Sequence, residues 1–287
     1  MILITGATGY TGRFLVARLL GAGEQVRCLV RPTSNRASLD TLGVEICLGD
    51  LERPGTLVPA FAGAEVALHL AHVRYTRSVL AAAGPELRRV VVVSSMRRFS
   101  RVPSRSVDEV IAGEESALEA GPRVVLLRPT MIYGPGDDRN LSRLAGFLRR
   151  YRWFPVFGQG RALQQPVHVE DVVAAIMAAA VRPEAAGRQY TLAGQRAVTY
   201  DQLVDLIAAA VGVRPVKVHL PVPLVLALAR LLPAAAGRRL GLEPEQVRRL
   251  QEDKSCSIAA AAADLGFAPV DLVEGLRRVH GREARND

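Results

Sequence analysis

Short aliphatic runs alternate with segments of helical periodicity along the chain as far as Pro129. Each run has the length of a buried strand, and the segments between runs repeat their apolar residues every three or four positions. The predicted strands are Ile2–Ile4, Gln25–Val30, Val44–Leu48, Glu65–Leu70, Arg89–Val93 and Val124–Leu127. The predicted helices between them include Tyr10–Leu20, Val73–Ala83 and Ser106–Glu119. This alternation predicts an α/β fold with a parallel sheet and helices on both faces.

The pattern changes after Pro129, where helices become more frequent and strands shorter. Helices are predicted over Leu141–Tyr151, over Val169–Val181 and from Thr199, as N-cap, to Ala210; short strands are predicted over Pro166–Val169 and Tyr190–Leu192. No Gly/Ser-rich or Pro-rich linker divides the chain. We therefore predict a single fold over residues 1–287: a Rossmann-type, doubly wound parallel sheet formed by approximately residues 1–160 and 166–182, and a small carboxy-terminal α/β lobe over approximately 183–287. The lobe is expected to hold the substrate and to be interleaved with the core.

The clearest chemical signal is a glycine-rich turn between the first strand and the first helix. It contains Gly6, Gly9 and Gly12, with Thr8, Tyr10 and Thr11 between and beside them. Glycine lets a backbone turn sharply and approach a pyrophosphate closely, and the helix that follows directs free N–H groups and its positive dipole end at the phosphates. The strand before the turn and the helix after it are the context that a dinucleotide site requires. The alternative is a tight strand–helix turn without a ligand.

The end of the second strand indicates which dinucleotide binds. Proteins that bind NAD usually place Asp or Glu about 20 residues beyond the glycines, where the carboxylate bonds the ribose 2′-hydroxyl. Here the strand ends in Arg31, with Asn35 and Arg36 close behind. A cation at this place suits a 2′-phosphate, so we predict NADP(H) in preference to NAD(H). The alternative is that Arg31 is a solvated loop residue.

Several motifs in order resemble the extended or atypical short-chain dehydrogenase/reductases, and within them the NAD(P)-dependent epimerase/dehydratase family. These motifs are the glycine turn, Gly49–Leu51, Leu70–Ala71, Val93–Ser95, Arg128–Gly136, Val167–Val172 and Asp264–Phe267. The resemblance implies that Asp50 and Leu51 lie at the adenine. It also implies further cofactor contacts along the strand ends, from Leu70, Ala71, His72, Ser94, Ser95, Pro129 and Tyr133.

The catalytic residues of that family are missing. Its redox members use a Tyr with a Lys four residues later, because the ammonium lowers the phenol pKa for proton exchange, together with a Ser or Thr. None of the six tyrosines is followed by such a Lys, and Met96 stands at the serine position. Two hypotheses remain. One is an atypical oxidoreductase or epimerase-like enzyme acting on a small or nucleotide-linked hydroxy or keto substrate. The other is a catalytically silent NADP-binding sensor or assembly partner.

For an enzyme, the candidate acid/base groups are Tyr133 and His72, which follow predicted strands; each could instead be a packing or loop residue. The candidate substrate contacts are Met96, Arg97, Asn140, Gln164 and Gln165. Arg97 could hold an anionic substrate at the place where a catalytic residue would otherwise stand.

Composition narrows the list of partners. The formal net charge is +9, and the 37 basic residues, of which only Lys217 and Lys254 are lysines, are scattered rather than clustered with aromatics, which argues against nucleic acid. Three cysteines without close spacing indicate reduced thiols and no metal site, and the amino terminus lacks the pattern of a signal peptide, so we expect a cytoplasmic protein. Leu220–Gly237 is apolar but interrupted, which favours peripheral membrane contact over a transmembrane segment. The helices Val73–Ala83 and Ser106–Glu119 could pair in a homodimer.

Overall fold

The computed structural model describes residues 1–138, 140–231 and 243–281. The strands are β1 (Ile2–Thr5), β2 (Val26–Val30), β3 (Glu45–Leu48), β4 (Val66–His69), β5 (Arg89–Val93), β6 (Val124–Pro129), β7 (Ile132–Tyr133), β8 (Trp153–Phe157), β9 (Leu163–Gln164), β10 (Val167–His168), β11 (Gln189–Leu192), β12 (Val198–Thr199) and β13 (Val216–Leu220). The helices are α1 (Tyr10–Gly21), α2 (Ala37–Asp40), α3 (Val58–Phe61), α4 (Thr76–Ala81), α5 (Arg105–Glu119), α6 (Leu141–Arg150), α7 (Val169–Val181), α8 (Tyr200–Ala210), α9 (Val222–Leu231), α10 (Pro244–Arg249), α11 (Ala259–Leu265) and α12 (Leu272–His280).

Seven parallel strands form the central sheet in the order β3-β2-β1-β4-β5-β6-β11. Residues of α1 and α7 pack on one face of the sheet, and residues of α3, α4 and α5 pack on the other. Both faces are therefore covered, which explains why the strands read as continuous aliphatic runs, such as the fully buried Leu3 and Ile4. The predicted Rossmann-type, doubly wound fold is confirmed. The strand order reverses direction between β1 and β4, which creates a crevice at the carboxyl ends of the strands.

The strand β11 joins the region beyond residue 183 to the central sheet. This strand pairs in parallel with β6 and forms an edge of the central sheet, with Tyr190 opposite Leu127. Residues of α11 and the following Phe267 also pack into the cluster beneath α1 and α7. Periodicity identified the strand but gave no information about its partner, so the region beyond residue 183 contributes to the core as well as to the lobe.

The lobe is built around three short strand pairs, β7 with β10, β8 with β13 and β9 with β12. Its apolar centre is a cluster contributed by α6, β8, α8 and α12, with Leu148, Val156, Leu203 and Leu276 all nearly inaccessible. The pairing of β8 with β13 was not predicted, because Pro155 interrupts the first strand and the second is only partly buried.

No helix in the described ranges is long and apolar enough to cross a bilayer. The apolar segment Leu220–Gly237 contains the end of β13, Pro221 and the ten-residue α9, and its residues 232–237 lie outside the described part of the chain.

Candidate functional site

The turn after β1 is shaped by close backbone contact with the turn after β4. Gly6 has a φ of +78°, and a Cβ added there would lie 2.6 Å from the Ala71 nitrogen and 2.7 Å from the Leu70 carbonyl carbon. A Cβ on Gly12 would collide with the carbonyl oxygen of Gly6. Two of the three motif glycines are thus required by sterics: a side chain at Gly6 would push the β1 and β4 turns apart, and one at Gly12 would push α1 away from the β1 turn.

The amino-terminal end of α1 opens toward this turn. Gly9 is the N-cap, no side chain caps the helix, and the first turn contains no acidic residue. The free N–H groups and the positive end of the helix dipole therefore remain available for an anion. A glycine cradle at the β1–β4 crevice, followed by an uncapped helix start, fits the pyrophosphate of a dinucleotide.

The far side of the crevice carries the residues predicted to contact the adenosine half. Arg31 directly follows β2, is exposed, and forms no ion pair with any described residue. Arg36 pairs with Asp40 at 3.5 Å, and the Asn35 side chain accepts a hydrogen bond from the Ala37 N–H. Of this group, Arg31 is the cation that remains available at the strand end.

Asp50 and Leu51 follow β3 at the same edge of the sheet as Arg31. The Asp50 carboxylate accepts the Glu52 N–H at 3.0 Å, and its own N–H is held by the Thr56 hydroxyl at 2.9 Å. Leu51 is buried. These contacts hold the turn after β3 in place; that it contacts the adenine stays a prediction.

His72, a predicted acid/base and cofactor contact, is a local helix cap. Its Nδ1 accepts the Arg74 N–H at 3.3 Å at the start of the short 3-10 turn Val73–Tyr75, and its Nε2 is 4.0 Å from Glu109. The imidazole is exposed on the rim and does not line the cleft described below. The structure therefore does not support His72 as the proton-transfer group.

The histidine that sequence reasoning passed over, His69, lies inside the sheet at the end of β4. It is fully buried, and its Nδ1 is 2.6 Å from the hydroxyl of Thr5, its neighbour across the β1–β4 pair. Burial lowers the pKa of His69 from 6.5 to about 4. The imidazole is therefore neutral at physiological pH and helps to join the two central strands beneath the crevice.

A cleft of about 860 Å³ lies beyond the glycine turn, between the sheet and the lobe. The predicted site residues that line it are Tyr10, Thr11, Ser94, Ser95, Met96, Arg97, Pro129 and Asn140. The lobe contributes side chains that were not singled out from the sequence: Arg249, Gln251, Glu252, Asp253 and Lys254. The cleft is therefore the place where a bound dinucleotide and a second molecule can meet.

Ser94 at the base of the cleft belongs to a buried ionic cluster. The hydroxyl of Ser94 donates to Glu114 at 2.5 Å, and Arg128 donates to the same carboxylate through Nε and Nη2 at 2.8–3.0 Å. Arg98 adds an ion pair at 3.3 Å, while the Glu114 side chain itself has 0% exposure. Ser94 is thus held by its acceptor, and the cluster ties α5 to β6 directly beneath the cleft.

No Tyr–Lys pair is recreated in space among the described residues of the cleft. Helix α5, which carries that pair in the family, presents Ser106, and the guanidinium of Arg97 donates to the Ser106 hydroxyl. Tyr10 is the one tyrosine of the described chain that lines the cleft, and its hydroxyl donates to the Pro135 carbonyl at 3.2 Å. Burial raises the pKa of Tyr10, so the phenol stays protonated.

Tyr133, the other predicted acid/base group, is directed away from the cleft. It is 1% exposed, packs edge-on against His168, and turns its hydroxyl toward Gly275 of α12. Burial raises the pKa of its phenol. The Tyr133 hydroxyl therefore packs against α12 and is not part of the cleft lining.

Gln164 and Gln165 lie just behind the cleft rather than in its lining. Gln165 is structural: its amide donates to the Gly194 carbonyl at 2.6 Å and accepts the Cys256 N–H at 2.9 Å. Gln164 is 1% exposed, and neither polar atom of its amide has a hydrogen-bond partner among the described residues. Asn140 lines the cleft and donates to the Ile132 carbonyl at 3.3 Å.

Together, the sheet order, the glycine cradle and the cleft define a Rossmann-type dinucleotide-binding protein. Comparison with known proteins gives the family. Residues 1–101 match the NmrA-like family and residues 111–193 match the NAD dependent epimerase/dehydratase family. The chain belongs to the NAD-dependent epimerase/dehydratase family of short-chain dehydrogenase/reductases, as its motifs indicated.

Curated relatives include both enzymes and a subunit of a larger complex. The chain is 31% identical to a ceramide reductase of Caulobacter vibrioides, over 82% of this chain and 78% of the relative. It is 29% identical to NADH dehydrogenase (ubiquinone) 1 alpha subcomplex subunit 9 of Arabidopsis thaliana, over 79% of this chain and 61% of the relative. It is 26% identical to a 2-alkyl-3-oxoalkanoate reductase of Shewanella oneidensis, over 96% and 84% of the two chains.

Solved structures show the same fold. The crystal structure of gox2253 superimposes with a TM-score of 0.79 at 22% identity and covers 100% of this chain and 98% of that one. MoeE5 in complex with UDP-glucose and NAD superimposes with a TM-score of 0.75 at 24% identity and covers 99% of both chains. A nicotinamide dinucleotide is therefore the cofactor that fold, glycine cradle and family jointly support.

Proposed function

We propose that this protein is an NADP(H)-dependent oxidoreductase that reduces the carbonyl group of an oxo substrate held in the cleft between sheet and lobe. The observation that carries the proposal is the continuity of the glycine cradle with this cleft: Tyr10 and Thr11 of the turn line the same space as Ser94, Ser95 and Arg97. Bound NADPH would supply the hydride to the carbonyl carbon and become NADP⁺, and the resulting alkoxide oxygen would take its proton from water in the cleft. Two relatives bear the names of reductases of oxo compounds or ceramide, which supports this class of reaction.

This chain's own residues would orient the reactants. The cradle at Gly6 and the free start of α1 hold the pyrophosphate, and Ser94 and Pro129 face the cleft at the ends of β5 and β6, where the family places the nicotinamide. The Ser94 hydroxyl donates to Glu114, so its oxygen remains an acceptor toward the cleft. Because Tyr133 and His72 lie outside the cleft, the proposal does not use either of them.

The preference for NADP(H) rests on Arg31. Its guanidinium is exposed at the end of β2 without a partner among the described residues, so a 2′-phosphate could form a charge-assisted contact there. Hydrogen bonds to charged groups contribute about 1.5–3 kcal/mol, which corresponds to roughly tenfold to a hundredfold in affinity. We expect Arg31→Ala to weaken NADP binding by this factor and to leave NAD binding unchanged in calorimetry. Arg152→Ala, an exposed arginine of the lobe, is the control, and an unaltered NADP preference in Arg31→Ala would contradict the assignment.

Turnover is tested by following NADPH oxidation at the reduced-nicotinamide absorbance band. The panel should contain oxo acids, oxo esters and nucleotide-linked sugars, each with the wild type and with Gly6→Ala, whose cradle is blocked. We expect oxidation with at least one oxo compound in the wild type and none in the variant. Tight NADPH binding without turnover across the panel would contradict the enzymatic proposal.

That contrary result would favour a second function, an NADP-binding sensor or assembly protein. The absence of a Tyr–Lys pair in the cleft favours this candidate, and the complex I subunit among the relatives shows that such a fold also occurs as a component of an assembly. Its test is affinity purification of the full chain with and without NADPH. Partners retained only in the presence of the dinucleotide would support it, whereas partners indifferent to NADPH would contradict it.

A further inference from the structure

Four cationic residues line the cleft; Arg101 is exposed, and the other three, which are partly buried, come from distant parts of the sequence. Arg97 lies in the short 3-10 turn Met96–Phe99 after β5, Arg249 ends α10, and Lys254 follows on the lobe. Lys254 is one of only two lysines in the chain. Of the partly buried cations, the segment after β5 thus contributes one and the lobe contributes two, so that positive charge faces the same cavity from both walls.

These cations have few carboxylates to balance them. Arg97 donates to the Ser106 hydroxyl and forms no ion pair with a described residue. Lys254 forms no ion pair or side-chain hydrogen bond within the described ranges. Arg249 pairs at 3.5 Å with Glu245, whose side chain is 41% exposed, and the Nε of Arg249 is buried without an acceptor among the described residues.

The acids nearest to this group are already engaged. The Glu252 carboxylate accepts the Ser100 hydroxyl at 2.8 Å and the Arg101 N–H at 2.6 Å, which joins the lobe to the segment after β5. Asp253 accepts the Leu163 N–H at 2.8 Å. Both carboxylates therefore position backbone around the cleft, although Glu252 also offsets part of the charge on Lys254.

Positive charge accumulates in this partly buried cluster, and it perturbs the pKa values of two of its members. Burial lowers the pKa of Lys254, and the nearby charges of Arg249 and Arg97 lower it further. Burial, followed by the charge of Arg249, also lowers the pKa of Arg97. Like charges in a half-buried cavity repel one another, and an oxyanion between them would reverse the sign of that interaction.

An uncharged polar side chain, that of Gln164, lies beside the cationic residues. Its backbone pairs with that of Lys254 in a parallel β-bridge, and residues paired in this way project their side chains from the same face. The Gln164 side chain is buried and its amide has no partner in the described part of the chain. A buried amide without a partner is costly, so a polar group that reached Gln164 from the cleft beside Lys254 would be stabilised by it.

We propose that Arg97, Arg249 and Lys254 bind an oxyanion of the substrate, either a carboxylate or a phosphoryl group, and that the substrate is consequently an anionic oxo compound rather than a neutral ketone. The inference rests on the proposed function, because it takes the cleft to be the substrate site. Binding the anion at the wall formed by the lobe would leave the carbonyl end of the molecule facing Ser94 and Ser95.

Binding is tested first, with ligands that cannot be reduced. Calorimetry on the NADP-loaded full chain compares octanoate, octyl phosphate and the neutral methyl octanoate. We expect at least one of the two anions to bind tenfold or more tightly than the ester, and the better of the two identifies the oxyanion. Lys254→Met and Arg97→Met should each remove tenfold or more of the anion affinity. Equal affinity for the ester and both anions would overturn the proposal.

The control variant is Arg152→Met, which removes the same charge from an exposed position outside the cleft. If Arg152→Met weakens anion binding as much as Lys254→Met does, the loss reflects the overall positive charge of the protein. That result would refute a specific anion site in the cleft. Unchanged NADP affinity and unfolding midpoint show that a variant is folded. Should Lys254→Met fail that check, Lys254→Gln takes its place.

An activity measurement separates this inference from the proposed function. Anion binding that depends on Lys254, without NADPH oxidation of any oxo compound, would contradict the oxidoreductase proposal and leave the anion site standing. If neutral ketones oxidised NADPH as efficiently as 3-oxo acids, the oxidoreductase proposal would stand and the anion site would be contradicted. If both proposals hold, kcat/KM for a 3-oxo acid should exceed that of its methyl ester at least tenfold, and Lys254→Met should abolish the difference.

Discussion

Removing the carboxylate of Glu114 should destabilise the protein more than any exposed substitution on the same helix. Glu114→Ala leaves Arg128, whose side chain is 8% exposed, and Arg98, at 27%, without their shared counter-ion, and it leaves the Ser94 hydroxyl without its acceptor. Removing one partner of a buried ion pair costs about 3–5 kcal/mol, because the remaining charge stays desolvated. Since domains unfold with about 5–15 kcal/mol, this is a large part of the total.

The measurement is urea unfolding followed by circular dichroism. The matched control is Glu115→Ala, the next residue of α5, which is exposed and for which we expect a change within about 0.5 kcal/mol. The double variant Glu114→Ala/Arg128→Ala should lose less than the two single variants combined, since its second substitution removes an already unpaired charge. A loss of less than about 1 kcal/mol for Glu114→Ala would refute the reasoning, because it would mean that Arg128 and Arg98 are readily rehydrated.

Three further predictions concern the crevice and the lobe. Gly6→Ala should lower NADPH affinity at least tenfold in calorimetry, because its Cβ would lie 2.6 Å from the Ala71 nitrogen. The control Gly63→Ala should not lower it, because Gly63 also has a positive φ, of +70°, but open space around it. Equal NADPH affinities of the two variants would contradict the steric argument. Burial lowers the pKa of His69 from 6.5 to about 4, so between these values the unfolded chain binds a proton that the folded one does not, and stability falls with falling pH. The contribution of His69 to this loss approaches about 1.4 kcal/mol of unfolding free energy per pH unit. Urea titrations between pH 6.5 and 4 should therefore show a smaller loss of unfolding free energy in His69→Asn than in the wild type. Equal losses in the two proteins would exclude His69 as the cause. Tyr133→Phe should leave NADPH binding and turnover unchanged and preserve or slightly raise the unfolding free energy, since the hydroxyl is buried without a partner among the described residues; loss of turnover with intact folding would restore Tyr133 as a catalytic candidate.

The parts of the fold that follow from local rules were predictable from the sequence. The β1 turn with Gly6 needed only the order strand, glycine, helix, and the strands flanking it needed only aliphatic runs. The start of α8 was equally clear. Thr199 is its N-cap, and it forms a capping box with Gln202, as a Thr placed three residues before a Gln suggests.

The features that depend on packing between distant segments were not predictable in the same way. Glu114 and Glu115 are neighbours of identical chemistry, and only the approach of Arg128 on β6 makes the first a buried ion-pair partner. Lys254 lies more than 150 residues beyond Arg97 in the sequence, so no spacing rule connects them across the cleft. His69 was visible as a histidine at a strand end, but its burial depends on pairing with β1 and β5 on either side.

The placement of β11 at the margin of the central sheet limits how this protein can be divided or recombined. A fragment ending at residue 182 would contain every motif of the nucleotide crevice and yet leave the hydrogen-bonding groups of β6 unpaired, beside a surface that α11 and Phe267 normally cover. Such an exposed, aliphatic strand edge invites association with other chains. Chimeras that exchange segments of this protein with those of a relative should therefore keep β11 and α11 with the amino-terminal half, and place their junctions in the segments between them.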